Sequence, residues 1–291
     1  FDVVTMYYNT TMFEEAGAPL PSADWTWDDY IAACSIIRAE LGNYCLSNGT
    51  AQDAYQWWAN YVPWISGYGG QLLEEDGVTV ALDSPEVIQA MEGWTGLWTE
   101  HDIAQPLDFD AGGECFIVGE CATTLFIPGY MGAVRALEPA PFDWDVEVIP
   151  THPEGKFTGM GTFGFAVSSS SEYPELAWEL VKGLVSVDTQ ITLAENYSGI
   201  PLLQSLREDP AIVELAGPPD NITAFIENGE NGITPTYFPG ECGSLYAGLI
   251  QQEIEDALEA SILGMMSVED AFTFADENIQ RCLDRSIESD D

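Results

Sequence analysis

The sequence predicts an α/β fold, and three observations carry the prediction. Short runs of branched and aromatic residues alternate with helical periodicities along the whole chain. No internal repeat or low-complexity tract interrupts that alternation. Apolar residues fill 46% of positions, enough for a packed core in a chain of 291 residues, a length that suits one large domain or two lobes.

The elements follow in order. Val3-Val4-Thr5-Met6-Tyr7-Tyr8 reads as a strand, rich in side chains that fit a pleated surface. The chain opens on it with no Met, basic stretch or signal-like apolar run, and is therefore read as a fragment. Thr26-x-x-Asp29 starts a helix that carries Tyr30, Ile31, Cys34, Ile37 and Leu41 at helical spacing and stops at Gly42-Asn43. Residues 53–65 hold Tyr55, Trp57, Trp58, Tyr61 and Trp64, then break at Gly67, Gly69 and Gly70. Ser84 opens a further helix with Pro85 in its first turn, where the missing N–H costs nothing, and Val87, Met91, Trp94 and Trp98 share one face.

Residues 121–127 predict a buried strand ending at Pro128-Gly129-Tyr130, and 145–149 an alternating strand ending at Pro150. Residues 159–164 read as a glycine-rich loop feeding a short strand, Phe165-Ala166-Val167, closed by serines. Helices are expected over 172–185 and 188–196, and loops over 217–220 and 229–239. Leu245, Leu249, Leu258 and Ile262 are assigned to one helix stopped at Gly264. Ser267-x-x-Asp270 starts the last, which carries Phe272, Ala275, Ile279 and Leu283.

Seven Lys and Arg against 49 Asp and Glu give a formal net charge of −42. Such a surface repels phosphate backbones and anionic lipid, which excludes nucleic-acid binding and peripheral membrane attachment. No apolar run approaches the length of a bilayer span. The acid excess is compatible with a dispersed extracellular protein, with adaptation to high salt, or with a cationic ligand. The scarcity of lysine, Lys156 and Lys182 alone, points to salt.

Six cysteines fall into three local or late pairs, Cys34 with Cys45, Cys115 with Cys121, and Cys242 with Cys282. There is no Cys-x-x-Cys, and His101 and His152 are distant from any Cys cluster, so no metal is expected. Disulfides formed in an oxidising compartment are the preferred reading over free thiols, although six cysteines permit about fifteen connectivities.

Enzyme signatures are scarce: there is no GxSxG, HExxH or P-loop. Gly159-x-Gly161-x-x-Gly164 fits a dinucleotide fingerprint literally, but it precedes a strand instead of following one into a helix. No cofactor and no catalytic residue are predicted. The distinctive feature is aromatic: 9 Trp, 12 Tyr and 13 Phe, several beside turn residues where rings are free to face a ligand. Flat rings suit the apolar faces of a sugar, and neighbouring carboxylates and backbone N–H groups suit its hydroxyls.

At this point the residues acquire a family. Met6-Tyr7-Tyr8-Asn9 with Met12-Phe13-Glu14-Glu15-Ala16-Gly17 and Trp25-Thr26-Trp27-Asp28-Asp29 form the first of five segments. Gly119-Glu120-Cys121-Ala122 with Gly129-Tyr130 is the second, and Phe142-Asp143-Trp144-Asp145-Val146 to Pro150 the third. Residues 161–169 with Pro174-Glu175-Leu176-Ala177-Trp178-Glu179 follow, then Gly199-Ile200-Pro201 with Ser267-Val268-Glu269-Asp270-Ala271. In this order they resemble the extracellular solute-binding proteins of sugar-importing ABC transporters, the group that includes maltose-binding protein.

The resemblance implies a periplasmic-binding-protein-like (type II) two-lobed fold with most of the first lobe missing from this chain. Residues 1–160 would form the first part of the second lobe, 161–233 a return segment belonging to the first lobe, and 234–291 the second lobe's C-terminal helices. It also implies ligand contacts. Asp2 falls at the acidic position before the first strand, and Trp57 or Trp58 where an aromatic faces the cleft. Tyr130 stands where the family has Trp, Gly161 and Phe163 lie in the lobe-crossing loop, and Tyr237 and Phe238 precede the helix expected near Cys242. Leu245 is a departure, since maltose-binding relatives place Trp there.

The function so implied is non-enzymatic: capture of a carbohydrate between lobes and delivery to a membrane permease by a monomeric, extracytoplasmic protein, periplasmic or anchored as a lipoprotein. The rivals are a secreted glycoside hydrolase, which needs two suitably spaced carboxyls, and the same fold binding a polyamine or other cation.

Overall fold

A computed structural model describes residues 2–48, 54–137, 141–162, 164–195, 201, 203–207, 209, 212 and 218–290. The opening run is two strands, β1 (Asp2–Val3) and β2 (Thr5–Asn9), which belong to different sheets. Asn9 caps α1 (Thr10–Ala16) by accepting from the Met12 N–H at 2.9 Å, and Gly17 closes that helix at φ 68°. The predicted Thr26–Asp29 capping box opens α2 (Trp27–Leu41), which Gly42 ends at φ 79°.

β3 (Tyr44–Leu46), α3 (Trp58–Gly67) and α4 (Pro85–Thr99) come next, followed by β4 (Cys121–Phe126), α5 (Tyr130–Arg135) and β5 (Trp144–Glu147). The larger sheet runs in the order β3-β4-β2-β5, with β3 parallel to β4 and the other pairs antiparallel. β2 lies inside it, buried on both faces. Val4, Met6 and Tyr8 enter the main core with the helices, while Val3 and Tyr7 enter a second cluster with Trp144, Val146, Tyr130 and Phe225. That alternation is the two-residue period of a strand covered on both sides.

The second, smaller sheet corrects the sequence reading. Residues expected to form a glycine-rich loop are a strand, β6 (Thr158–Gly161), between β1 and β7 (Gly232–Ile233). The expected strand over 165–167 is absent: Phe165 is exposed and has no ladder partner among the described residues. Pairing decides both. The backbone of 158–161 finds neighbours on two sides, and its glycines allow a close approach that branched residues would block.

α6 (Pro174–Leu184), α7 (Val187–Glu195) and α8 (Ala224–Gly229) follow. α6 buries no residue, and Leu176, Trp178 and Leu180 lie exposed on it. α8 is tied to the larger sheet through Asn228, whose Nδ2 donates to Thr5 Oγ1 at 3.0 Å and whose Oδ1 accepts from the Ile149 N–H at 3.1 Å.

The helix expected from Leu245 begins later, as α9 (Leu249–Ile262), preceded by a hairpin of β8 (Gly243–Ser244) and β9 (Ala247–Gly248). Leu245 packs into the core from the hairpin turn. Gly243, at φ 106°, approaches so closely that a Cβ there would meet the Ala247 carbonyl oxygen at 2.3 Å. α10 (Val268–Asp290) packs along α9. Disulfides join Cys34 to Cys45, Cys115 to Cys121, and Cys242 to Cys282, tying α2 to β3, closing a turn before β4, and fastening the hairpin to α10. No helix among the described residues is long and apolar enough to cross a membrane.

Candidate functional site

A cavity of about 180 Å³ opens where β1, β6, the start of α3 and the β8–β9 hairpin meet. Its one acidic side chain among the lining residues is Asp2, on β1, which is 7% exposed. Burial raises the Asp2 pKa from its ordinary 3.8, since a carboxylate loses hydration when enclosed. Gly159, Met160, Gly161 and Thr162 supply backbone along the facing wall.

Trp57 and Trp58 bring the aromatic surface. Trp57 holds the N-cap position of α3 in an extended conformation, and Trp58 is the helix's first residue. The Trp57 ring lies 5.2 Å from that of Phe126. Trp58 is only 3% exposed, and its Nε1–H makes no hydrogen bond. A buried donor without a partner is the group most in need of a ligand acceptor.

Tyr246 completes the set. It sits at the tip of the β8–β9 hairpin, 54% exposed, with its ring edge-on to Trp58 at 5.7 Å. Sequence reasoning missed it, because Leu245 fitted a helical spacing and absorbed its neighbour. The available signal was the pair Gly243 and Gly248, both at positive φ, flanking a turn of two residues.

Of the residues expected at the cleft, the structure therefore brings Asp2, Trp57, Trp58 and Gly161 together. Phe163 lies outside the described residues. Tyr130 is not among the lining residues. It is buried in the second cluster, its ring 5.1 Å from Tyr7, and its hydroxyl donates to the Glu114 carboxylate. Burial, then the adjacent Glu114 charge, raises the Tyr130 pKa strongly, so the phenol stays a donor. Glu114 also accepts from Ser47 Oγ and from the N–H groups of Phe116 and Ile117. Phe238 is buried in the main core, and Tyr237 next to it is 85% exposed and away from the cavity. No cluster of metal-ligating side chains occurs among the described residues.

The family model of the bacterial extracellular solute-binding proteins matches residues 2–217. The chain belongs to this family. A Brucella abortus (strain 2308) protein named only as a binding protein is 27% identical over 211 residues, covering 68% of this chain and 48% of the relative. The chain thus spans about half the length of the curated relatives it matches.

Among solved structures, an ABC substrate-binding protein from Listeria monocytogenes in complex with cycloalternan superposes with a TM-score of 0.79 at 22% identity. It covers 97% of this chain and 70% of its own. A solute-binding protein from Thermotoga lettingae bound with α-D-tagatose gives 0.79 at 21% identity, with the same coverage. Maltose-bound T. maritima MalE3 gives 0.77 at 22%, covering 97% of this chain and 71% of its own. At these identities the likeness establishes the fold, that of the two-lobed binding proteins, of which this chain holds about 70%.

Proposed function

We propose that this solute-binding protein captures a carbohydrate at the Asp2–Trp57–Trp58–Tyr246 cavity and hands it to the permease of an ABC importer. The observation that carries the reading is that Trp57, Trp58, Tyr246 and the buried Asp2 line a single cavity, and that the Trp58 indole N–H has no hydrogen-bond partner. Rings bind the apolar face of a sugar, Asp2 accepts from its hydroxyls, and Trp58 Nε1–H donates to one. The solved relatives whose names state cycloalternan, tagatose or maltose support the same ligand class.

At about 180 Å³ the cavity is smaller than the roughly 300–1,000 Å³ of a complete small-molecule pocket. We read it as one wall of an interlobe cleft. On this reading residues 161–233 return to the other lobe, carrying α6, whose Leu176, Trp178 and Leu180 lie exposed among the described residues. Their last stretch packs back on β2 and β6 through α8 and β7. Closure of the lobes around sugar works because ligand binds the closed form more tightly than the open one. The protein acts outside the cytoplasm, in the periplasm or as a surface lipoprotein, as a monomer and without catalysis. Its charge of −42 fits a high-salt habitat.

Hydrolysis of a glycoside needs two carboxyls across the bond, and Asp2 is the one carboxylate lining this cavity among the described residues. The same scarcity disfavours a polyamine, although the overall acidity favours a cation. Titration calorimetry against mono- and oligosaccharides, with putrescine in parallel and chromogenic glycosides as an activity control, tests the reading. Saturable heat with a sugar and no turnover supports it. Silence across the sugars, a putrescine-only response or glycoside turnover overturns it.

A further inference from the structure

Behind Ala59, on the far side of the cavity wall, lies a much smaller cavity of about 10 Å³. Val4 and Ala59 line both. Its lining residues include Asn60 and Trp64 on α3 and His152 on the segment after β5, beside Thr158 and Trp27, whose polar atoms already donate to Val4 and His152. Their hydrogen-bonding states follow from their other contacts. Trp27 Nε1–H donates to His152 Nε2 at 3.0 Å, so Nε2 is the acceptor nitrogen and the proton of the neutral ring resides on Nδ1. Asn60 Nδ2 donates to the Ala54 carbonyl at 3.0 Å, which leaves Oδ1 as a free acceptor. Trp64 Nε1 is a donor by its chemistry.

His152 Nδ1, Trp64 Nε1 and Asn60 Oδ1 all lack a partner in the protein. Two donors and one acceptor thus belong to residues that line one space whose volume matches a single small molecule. Buried polar groups in folded proteins are satisfied in the great majority of cases, by protein or by ordered water. The required ligand must accept twice and donate at least once. A halide offers no donor and an ammonium ion no acceptor, whereas water has both capacities.

We propose that one internal water molecule is a built-in part of this protein, accepting from His152 Nδ1 and Trp64 Nε1 and donating to Asn60 Oδ1. It joins α3 to the segment that leads into β6, so it holds together the two elements that form the larger cavity's wall. The site is a positioning feature and touches no solute.

High-resolution crystallography of the full chain, with nitrogen-15 NMR of His152, tests it. The expected result is a density peak within hydrogen-bonding distance of all three atoms, a protonated Nδ1 on His152, and cross-peaks from the Trp64 indole proton to a long-lived water. A cavity without density, a His152 proton on Nε2, or a direct His152–Asn60 hydrogen bond closing the space would overturn the proposal. None of these readouts depends on sugar binding, so they stand apart from the outcome of the calorimetry.

Discussion

Gly159 lies directly against Ala59: a Cβ added at Gly159 would come within 2.5 Å of the Ala59 Cα and carbonyl oxygen. β6 and α3 therefore touch through backbone at the point where the cavity wall forms. Gly159→Ala forces the two apart, since backbone atoms cannot swing aside. The expected cost is about 1–3 kcal/mol of stability, with displacement of Trp58 and a drop in sugar affinity. Gly161→Ala is the control, because a Cβ there meets nothing within 4 Å. Its stability is expected to stay within about 0.5 kcal/mol of the parent. Denaturant melts of both variants check this; equal losses would mean that the contact is not tight.

Tyr130→Phe separates a core role from a ligand role. The phenol donates to Glu114, which retains three other donors in Ser47, Phe116 and Ile117. Loss of one hydrogen bond to a charged group is expected to lower stability by about 1.5–3 kcal/mol and leave sugar affinity unchanged. A large affinity loss at constant stability would place Tyr130 at the ligand after all.

Much of this was legible in the chain. The branched and aromatic run at residues 5–8 and the apolar run at 121–126 are central strands, because such side chains fill both faces of a buried sheet. Thr26, Asp29, Ser84 and Pro85 mark helix starts through backbone chemistry that does not depend on the rest of the fold. β6 was hidden, since Thr158-Gly159-Met160-Gly161 has no strand-like side chains and exists through its neighbours. Tyr130 and Phe238 looked available because they adjoin turns, yet each ring points into packing. Local spacing identifies an aromatic residue but not the side of the wall it faces.

Tyr246→Ala tests the residue that spacing concealed. The ring is half exposed and contacts Trp58 edge-on, so its removal costs the fold little. Sugar affinity is expected to fall roughly 3- to 10-fold, the worth of one aromatic contact. Tyr237→Ala, altering a ring that is 85% exposed and outside the cavity, is expected to leave affinity unchanged. Calorimetry on the two variants decides; identical responses would remove Tyr246 from the site.

Salt dependence follows from the charge. Against 49 Asp and Glu the chain has 7 Lys and Arg, so carboxylate repulsion is mostly uncompensated even where pairs such as Arg38–Asp102 and Lys182–Glu179 form. Added salt shortens the reach of that repulsion. The melting temperature is expected to climb steadily from low to molar salt. A flat or falling curve would argue against adaptation to a saline habitat.

Acid stability turns on His152. Burial lowers its pKa from 6.5 to about 3, so the folded protein refuses a proton that the unfolded chain accepts between those values. Its contribution to stability is intact above pH 6.5 and is lost as pH falls toward 3, with a slope approaching about 1.4 kcal/mol per pH unit. Asp145, Glu147 and Asp276 act in the opposite sense. Burial raises their pKa values above the ordinary 3.8 or 4.5, so the folded state gains stability as pH falls through the raised values. His152→Gln removes only the first effect. The variant starts below the parent at neutral pH, having lost the ring that accepts from Trp27, and the gap is expected to narrow or invert as pH is lowered. Denaturant midpoints of the two proteins across the acid range measure the gap. A constant difference would show that His152 takes up its proton equally well in the folded and unfolded states, and that its environment is not the closed one described above.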